Sequence, residues 1–137
     1  MRLLLDTHIY AWYVNEQDNL SRNVQALLSD YDNQLYITSE TLRELITLWR
    51  TKPEFRKWWP DPVEMLRSAT DEYYVQVLYI HKEHYERCVR LTLAPDHKDP
   101  SDHLIIATAL CNGMPLISAD TKFPFYRSQG LELIGND

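Results

Sequence analysis

Arg2-Leu3-Leu4-Leu5-Asp6-Thr7-His8 is the stretch on which the fold turns. Three leucines in a row, without alternation, read as a strand buried on both faces, which is the signature of a parallel sheet covered by helices. The run stops at Asp6, and Asp6 or Thr7 can cap a helix reaching about Val14. Working outward, a second helix follows Ser21, with Val24, Leu27 and Leu28 on one face. Leu35 to Ile37 reads as a short strand, and Thr38 and Ser39 offer caps for a helix to about Arg50. Pro53, Pro60 and Pro62 punctuate a junction before a helix from Val63 to Asp71. A strand over Tyr73 to Ile80, a helix over His81 to Leu91 and a loop over Pro95 to Lys98 follow. Asp99 and Pro100 open a strong helix to about Cys111, closed by Asn112 and Gly113. Leu116 to Ser118 and Leu131 to Ile134 are the last strands. The alternation predicts an α/β fold with a mostly parallel central sheet and helices on both faces, spanning residues 1–137 as one domain.

That architecture gives meaning to four acids at element junctions: Asp6, Glu44, Asp102 and Asp120. An open α/β sheet brings the carboxyl ends of its strands to one rim, where ligands bind. Carboxylates gathered there repel one another unless cations lie between them. The set therefore predicts a magnesium or manganese site doing phosphate chemistry. Singly, each acid has a plainer account. Asp6 caps a helix, Asp102 answers a helix dipole, and Asp120 fits a turn in Ser-Ala-Asp-Thr-Lys. Glu44 lies among the apolar Leu42, Leu45 and Ile46 at the border of a buried face, with surface pairing to Arg43 or Arg50 as its alternative.

Composition narrows the classes. With 45% hydrophobic and 25% charged residues in 137, the chain is an ordinary globular protein. No apolar run approaches the ~18 residues of a membrane span, and Asp6 and His8 break the one stretch that resembles a signal peptide. Cys88 and Cys111 are isolated thiols, read as buried and inert in a reducing cytoplasm. Twenty acidic against 14 basic side chains leave a net charge of −6, which argues against non-specific coating of duplex nucleic acid. A nuclease remains compatible with an acidic surface, because bound divalent cations invert the field locally.

Four segments resemble one family: LLLDTHIYAW at the start, SETLRELITL in the middle, then DPSDHLIIATAL and MPLISADTKFPFY. They look like the PIN domain and, within it, the VapC-type toxins of toxin–antitoxin pairs. The resemblance implies a PIN-like three-layer sandwich and a metal-dependent endoribonuclease. By it, Asp6, Glu44, Asp102 and Asp120 match the family's acidic quartet. Asp is short and holds a metal close to the backbone, so Asp6 and Asp102 are the best direct ligands of magnesium or manganese, while Glu44 and Asp120 complete a second metal position or orient water. Thr7 and Ser118 match small hydroxyl residues beside the cluster, and Asp99 takes the capping role. The family commonly has Arg or Lys after the second Asp of the D-P-x-D segment; here His103 stands there, a side chain that ordinarily titrates near neutrality. An RNA substrate, a cognate antitoxin and a homodimer are the implied partners. Three rivals stay open: a PIN fold kept only for protein binding, a magnesium-dependent phosphatase and a receiver domain. The phosphatase pattern wants a second Asp where this chain has His8, and the receiver's acidic pair is not evident.

Other constellations are weaker. His81, His84 and Cys88 have helical metal-ligand spacing but no fourth ligand, so solvent-facing histidines are the plainer reading. Between Trp49 and Trp59, basic residues mix with aromatics, as in single-strand binding, yet a helix junction packed by its tryptophans is favoured. Tyr10, Trp12 and Tyr13 read as packing or a dimer surface.

Overall fold

The computed structural model describes residues 1–71 and 74–137. Five strands form its sheet: β1 (Arg2–Leu5), β2 (Gln34–Thr38), β3 (Val75–Leu78), β4 (Leu116–Ser118) and β5 (Leu133–Gly135). Their order is β3-β2-β1-β4-β5, and every pairing is parallel. The leucine run of β1 is central, and its side chains divide by the two-residue period of a strand. Leu3 and Leu5 join one core with Leu35, Ile37 and Val75, while Leu4 joins a second core with Tyr36 and Leu116. All three leucines are fully buried, each contributing about 1.5–3 kcal/mol. Two cores on opposite faces make the sandwich three-layered.

Helices α1 (Thr7–Asn15), α2 (Arg22–Ser29), α3 (Ser39–Thr51), α4 (Pro53–Trp58) and α5 (Pro62–Asp71) supply the first core. Helix α7 (Pro100–Asn112) and the 3-10 segment Phe123–Gln129 supply the second, and α6 (Lys82–Val89) packs against α7. Caps set the helix starts. Ser21 Oγ accepts from Val24 N–H, Thr38 Oγ1 from Glu40 N–H, and Asp99 Oδ1 from Ser101 N–H. Gly113 closes α7 in the left-handed region, at φ 58°, which glycine adopts without strain.

Several expectations need correcting. The proline-punctuated junction contains a helix, α4, with Pro53 at its first position and Phe55 buried against Trp58 and Trp59. The third strand is shorter than 73–80, and Tyr73 lies outside the described residues. The last strand starts at Leu133 rather than Leu131, because Leu131 anchors the second core before pairing begins. Cys111 is exposed and Cys88 half-buried, since both sit on helix faces turned from the core. His84 is buried rather than solvent-facing: its Nδ1 accepts from His81 N–H and caps α6, and its Nε2 meets Asn112 Oδ1. Tyr10 packs in the core.

Candidate active site

In this strand order, successive crossovers run from β1 to β2 and β3 on one side, then return to β4 and β5 on the other. The order of winding thus reverses between β1 and β4, and the crevice beyond their carboxyl ends is where such sheets hold ligands. Asp6 follows β1 directly. Its Oδ1 accepts from Thr7 N–H at 2.8 Å, and its Oδ2 accepts from Ser118 Oγ at 2.7 Å, at the end of β4. Glu44 arrives from the second turn of α3, where Thr7 Oγ1 donates to its Oε1 at 2.6 Å. Asp102 comes from the first turn of α7. Carboxylate oxygens of Asp6, Glu44 and Asp102 lie within 4.8 Å of one another.

Asp120 lines the same cleft, of about 300 Å³, from the loop after β4, but stands outside this group of three. Its backbone N–H is held by Ser118 Oγ and its Oδ1 accepts from Lys122 N–H, so the turn role is also filled. His8 and Trp12 form an aromatic wall of the cleft, with ring centroids 5.8 Å apart. His81, His84 and Cys88 form no cluster able to hold a metal among the described residues.

Burial and repulsion between neighbouring carboxylates raise the pKa values of all three. Burial, followed by repulsion from Asp6, raises Asp102 from 3.8 to about 8. Burial likewise lifts Glu44 from 4.5 to about 8, against the hydrogen bond from Thr7. Asp6 is also raised by burial, partly offset by Ser118 and Thr7. Among the described residues, none of the three carboxylates pairs with a lysine or arginine. Arg43 pairs instead with the buried Glu40 at 2.6 Å and donates to Ser101 Oγ at 3.1 Å, clamping α3 to α7. The ligand atoms on offer are all oxygens, which suits magnesium or manganese better than a softer ion.

Over residues 3–128 the sequence matches the PIN domain. The chain belongs to that family. Among solved structures, it resembles VapBC2 from Rickettsia felis bound to a DNA fragment from their promoter, with 17% identity, TM-score 0.65 and full coverage of both chains. It is similar also to VapBC-1 from nontypeable Haemophilus influenzae, at 20% identity, TM-score 0.64 and 98% of each chain. Mycobacterium tuberculosis VapC20, a sarcin–ricin loop cleaving toxin, aligns at 16% identity and TM-score 0.63, over 94% of this chain and 95% of that one. At these identities the likeness establishes the shared fold. No curated protein matches the sequence.

Residues of this PIN domain that sequence reasoning passed over surround Asp102. His97 is buried, and its Nε2 lies 3.0 Å from Asp102 Oδ2. Burial holds its imidazole below the ordinary value, although Asp120 pulls the other way. Its Nδ1 lies 2.7 Å from the hydroxyl of the fully buried Tyr126. The only sequence cue was a histidine two residues before Asp99, in a segment read as loop. His103 is buried as well, with Nε2 donating to the His97 carbonyl at 2.9 Å, so it braces the loop instead of adding a group to the cleft.

Proposed function

We propose that this protein is a magnesium- or manganese-dependent endoribonuclease and the toxin half of a type II toxin–antitoxin pair. The observation that supports the nuclease reading most is the convergence of Asp6, Glu44 and Asp102, within 4.8 Å, where the strand order reverses and, among the described residues, without a lysine or arginine partner. Asp6 and Asp102 are the short carboxylates best suited to hold an ion near the backbone frame. Glu44 completes that position from α3, and Asp120 faces it across the cleft. A bound divalent ion supplies the positive charge and Lewis acidity that make water a competent nucleophile toward a phosphodiester at neutral pH. Thr7 and Ser118 keep Glu44 and Asp6 in place while charge changes around them. Water adds to phosphorus and the P–O3′ bond breaks, leaving a 5′-phosphate and a 3′-hydroxyl.

The surroundings suit a single strand. A second groove of about 410 Å³, between α3 and α7, shares Glu44 and Asp99 with the cleft and is flanked by the exposed Arg43. His8 and Trp12 offer ring faces and edges for an unstacked base. The antitoxin partner is carried over from the toxin–antitoxin complexes sharing the fold, and the homodimer rests on the same analogy. A cytoplasmic setting accords with the absence, among the described residues, of any helix long and apolar enough to cross a membrane. One five-stranded sheet with both cores built on it supports treating residues 1–137 as one PIN-like domain.

The test is cleavage of total RNA by antitoxin-free protein with magnesium, with manganese and with chelator, beside Asp6→Asn. Discrete fragments that need metal and vanish in the variant support the assignment. Folded, metal-binding protein that leaves every RNA intact points instead to a PIN fold used only for binding.

A further inference from the structure

We infer that His97 is a positioning residue for Asp102: Tyr126 fixes its neutral ring in the Nε2–H tautomer, and that N–H binds one carboxylate oxygen while the other stays open to a cation. The inference rests on the metal-dependent reading of the acidic site.

Backbone geometry delivers the ring. Ala94, Pro95, Asp96 and His97 make a turn in which His97 N–H donates to the Ala94 carbonyl at 3.1 Å. Proline at its second position and a left-handed Asp96, φ 59°, at its third are the arrangement of a type II turn, and Asp tolerates that region better than most residues. The His97 carbonyl is then pinned by His103 Nε2 at 2.9 Å. Its ring is boxed by His103, Tyr126 and Phe123, at centroid distances of 4.7, 5.5 and 5.8 Å.

Hydrogen-bond accounting then assigns the proton. The Tyr126 hydroxyl accepts from Ala94 N–H at 3.0 Å, which leaves its single hydrogen to be donated. His97 Nδ1, at 2.7 Å, is the acceptor in reach. A neutral imidazole with Nδ1 accepting carries its proton on Nε2, which faces Asp102 Oδ2 at 3.0 Å. With Asp102 ionised, as a bound cation requires, the opposite tautomer would set a ring lone pair against a carboxylate oxygen and leave the buried hydroxyl hydrogen without an acceptor. Asp102 Oδ1 makes no protein hydrogen bond among the described residues. Partners of this kind orient metal-binding groups, and removing them typically costs about 10–100-fold in metal affinity.

Manganese binding to the full chain, read by calorimetry or by the loss of free-ion EPR signal, tests this in wild type, His97→Leu, His97→Gln and Asp102→Asn. Glutamine can accept from Tyr126 and donate to Asp102 at once, so His97→Gln is expected to bind manganese nearly as wild type does, and His97→Leu about tenfold or more weakly. Nitrogen-15 NMR of the magnesium-loaded wild type, in which Asp102 is ionised, is expected to show the His97 proton on Nε2. A folded His97→Leu with undiminished affinity overturns the inference, as does a proton on Nδ1. Should His97→Leu fail to fold, a wild-type proton on Nδ1, or a loss of manganese affinity in folded His97→Gln of about tenfold or more, overturns the inference instead. If Asp102→Asn binds manganese as tightly as wild type, the metal-site reading itself fails; affinity lost in Asp102→Asn but kept in His97→Leu sinks only the role of His97.

Discussion

Ser118 Oγ donates to Asp6 Oδ2 at 2.7 Å, tying the carboxyl ends of the neighbouring parallel strands β1 and β4 at the point where the sheet reverses. A hydroxyl bond to a charged group contributes about 1.5–3 kcal/mol, and this one is buried. Ser118 Oγ also accepts from Asp120 N–H, so one side chain sets the spacing of both acids. We predict that Ser118→Ala lowers the melting temperature and reduces RNA cleavage about 10-fold or more, while Asp6→Asn abolishes cleavage and leaves the circular dichroism spectrum unchanged. Full activity in Asp6→Asn would falsify the site assignment.

Stability of the metal-free protein should fall with rising pH, opposite to the usual effect of a stabilised carboxylate. Glu44 and Asp102 are raised from 4.5 and 3.8 to about 8. Between about pH 4 and pH 8 the folded chain therefore keeps protons that the unfolded chain has released. Their contribution is complete below the unfolded values and is lost as pH passes the folded ones. Melting curves in chelator at pH 6 and pH 9 should show the lower transition at pH 9. The gap should narrow in Glu44→Gln, which retains an oxygen for Thr7 but cannot ionise; at pH 9 that variant should melt above wild type by roughly 3–5 °C, equivalent to about 1 kcal/mol for a chain of this size. An equal gap in the two proteins would exclude Glu44 as its source.

The same protons should be displaced by metal. At pH 7 Glu44 and Asp102 hold protons in the metal-free site, and a cation binds the ionised forms. Calorimetric titration with manganese in buffers of different ionisation enthalpy should therefore show about one to two protons released per ion at pH 7 and few at pH 9.5. Affinity should rise over that interval. Proton release that does not change with pH would show that the two acids are already ionised before the ion arrives.

The sheet was legible because β1 needs burial on both faces, and only a run such as Leu3-Leu4-Leu5 satisfies that in three consecutive positions. Capping made the starts of α2, α3 and α7 readable at Ser21, Thr38 and Asp99, each a side chain that accepts from a backbone N–H two or three residues on. The convergence of Asp6, Glu44 and Asp102 followed from where strand ends fall in an open sheet. What stayed hidden depends on partners far apart in sequence. Tyr126 and His97 are 29 residues apart, and Ser101 reaches Glu40 across 61; neither pairing leaves a local pattern. The burial of His84 and exposure of Cys111 were missed for a related reason, since residue type alone does not tell which face of α6 or α7 meets the other.

The aromatic wall beside the acids yields a prediction that separates stacking from charge. His8 is exposed in the cleft, tilted 60° to Trp12 and set edge-on to Phe55, so its ring is supported from behind while one side meets solvent. A base stacked there gains about 1–3 kcal/mol, so His8→Ala should weaken binding of a short single-stranded RNA by roughly five- to a hundredfold. His8→Phe preserves a ring without a titratable nitrogen and should bind close to wild type. Measuring both in the Asp6→Asn background prevents cleavage from obscuring affinity; with Asp6 in place, His8→Ala and His8→Phe should bind manganese alike, because His8 is outside the three-carboxylate group. If His8→Phe loses as much RNA affinity as His8→Ala, the ring acts through its charge or its hydrogen bonds, and stacking at this wall is excluded.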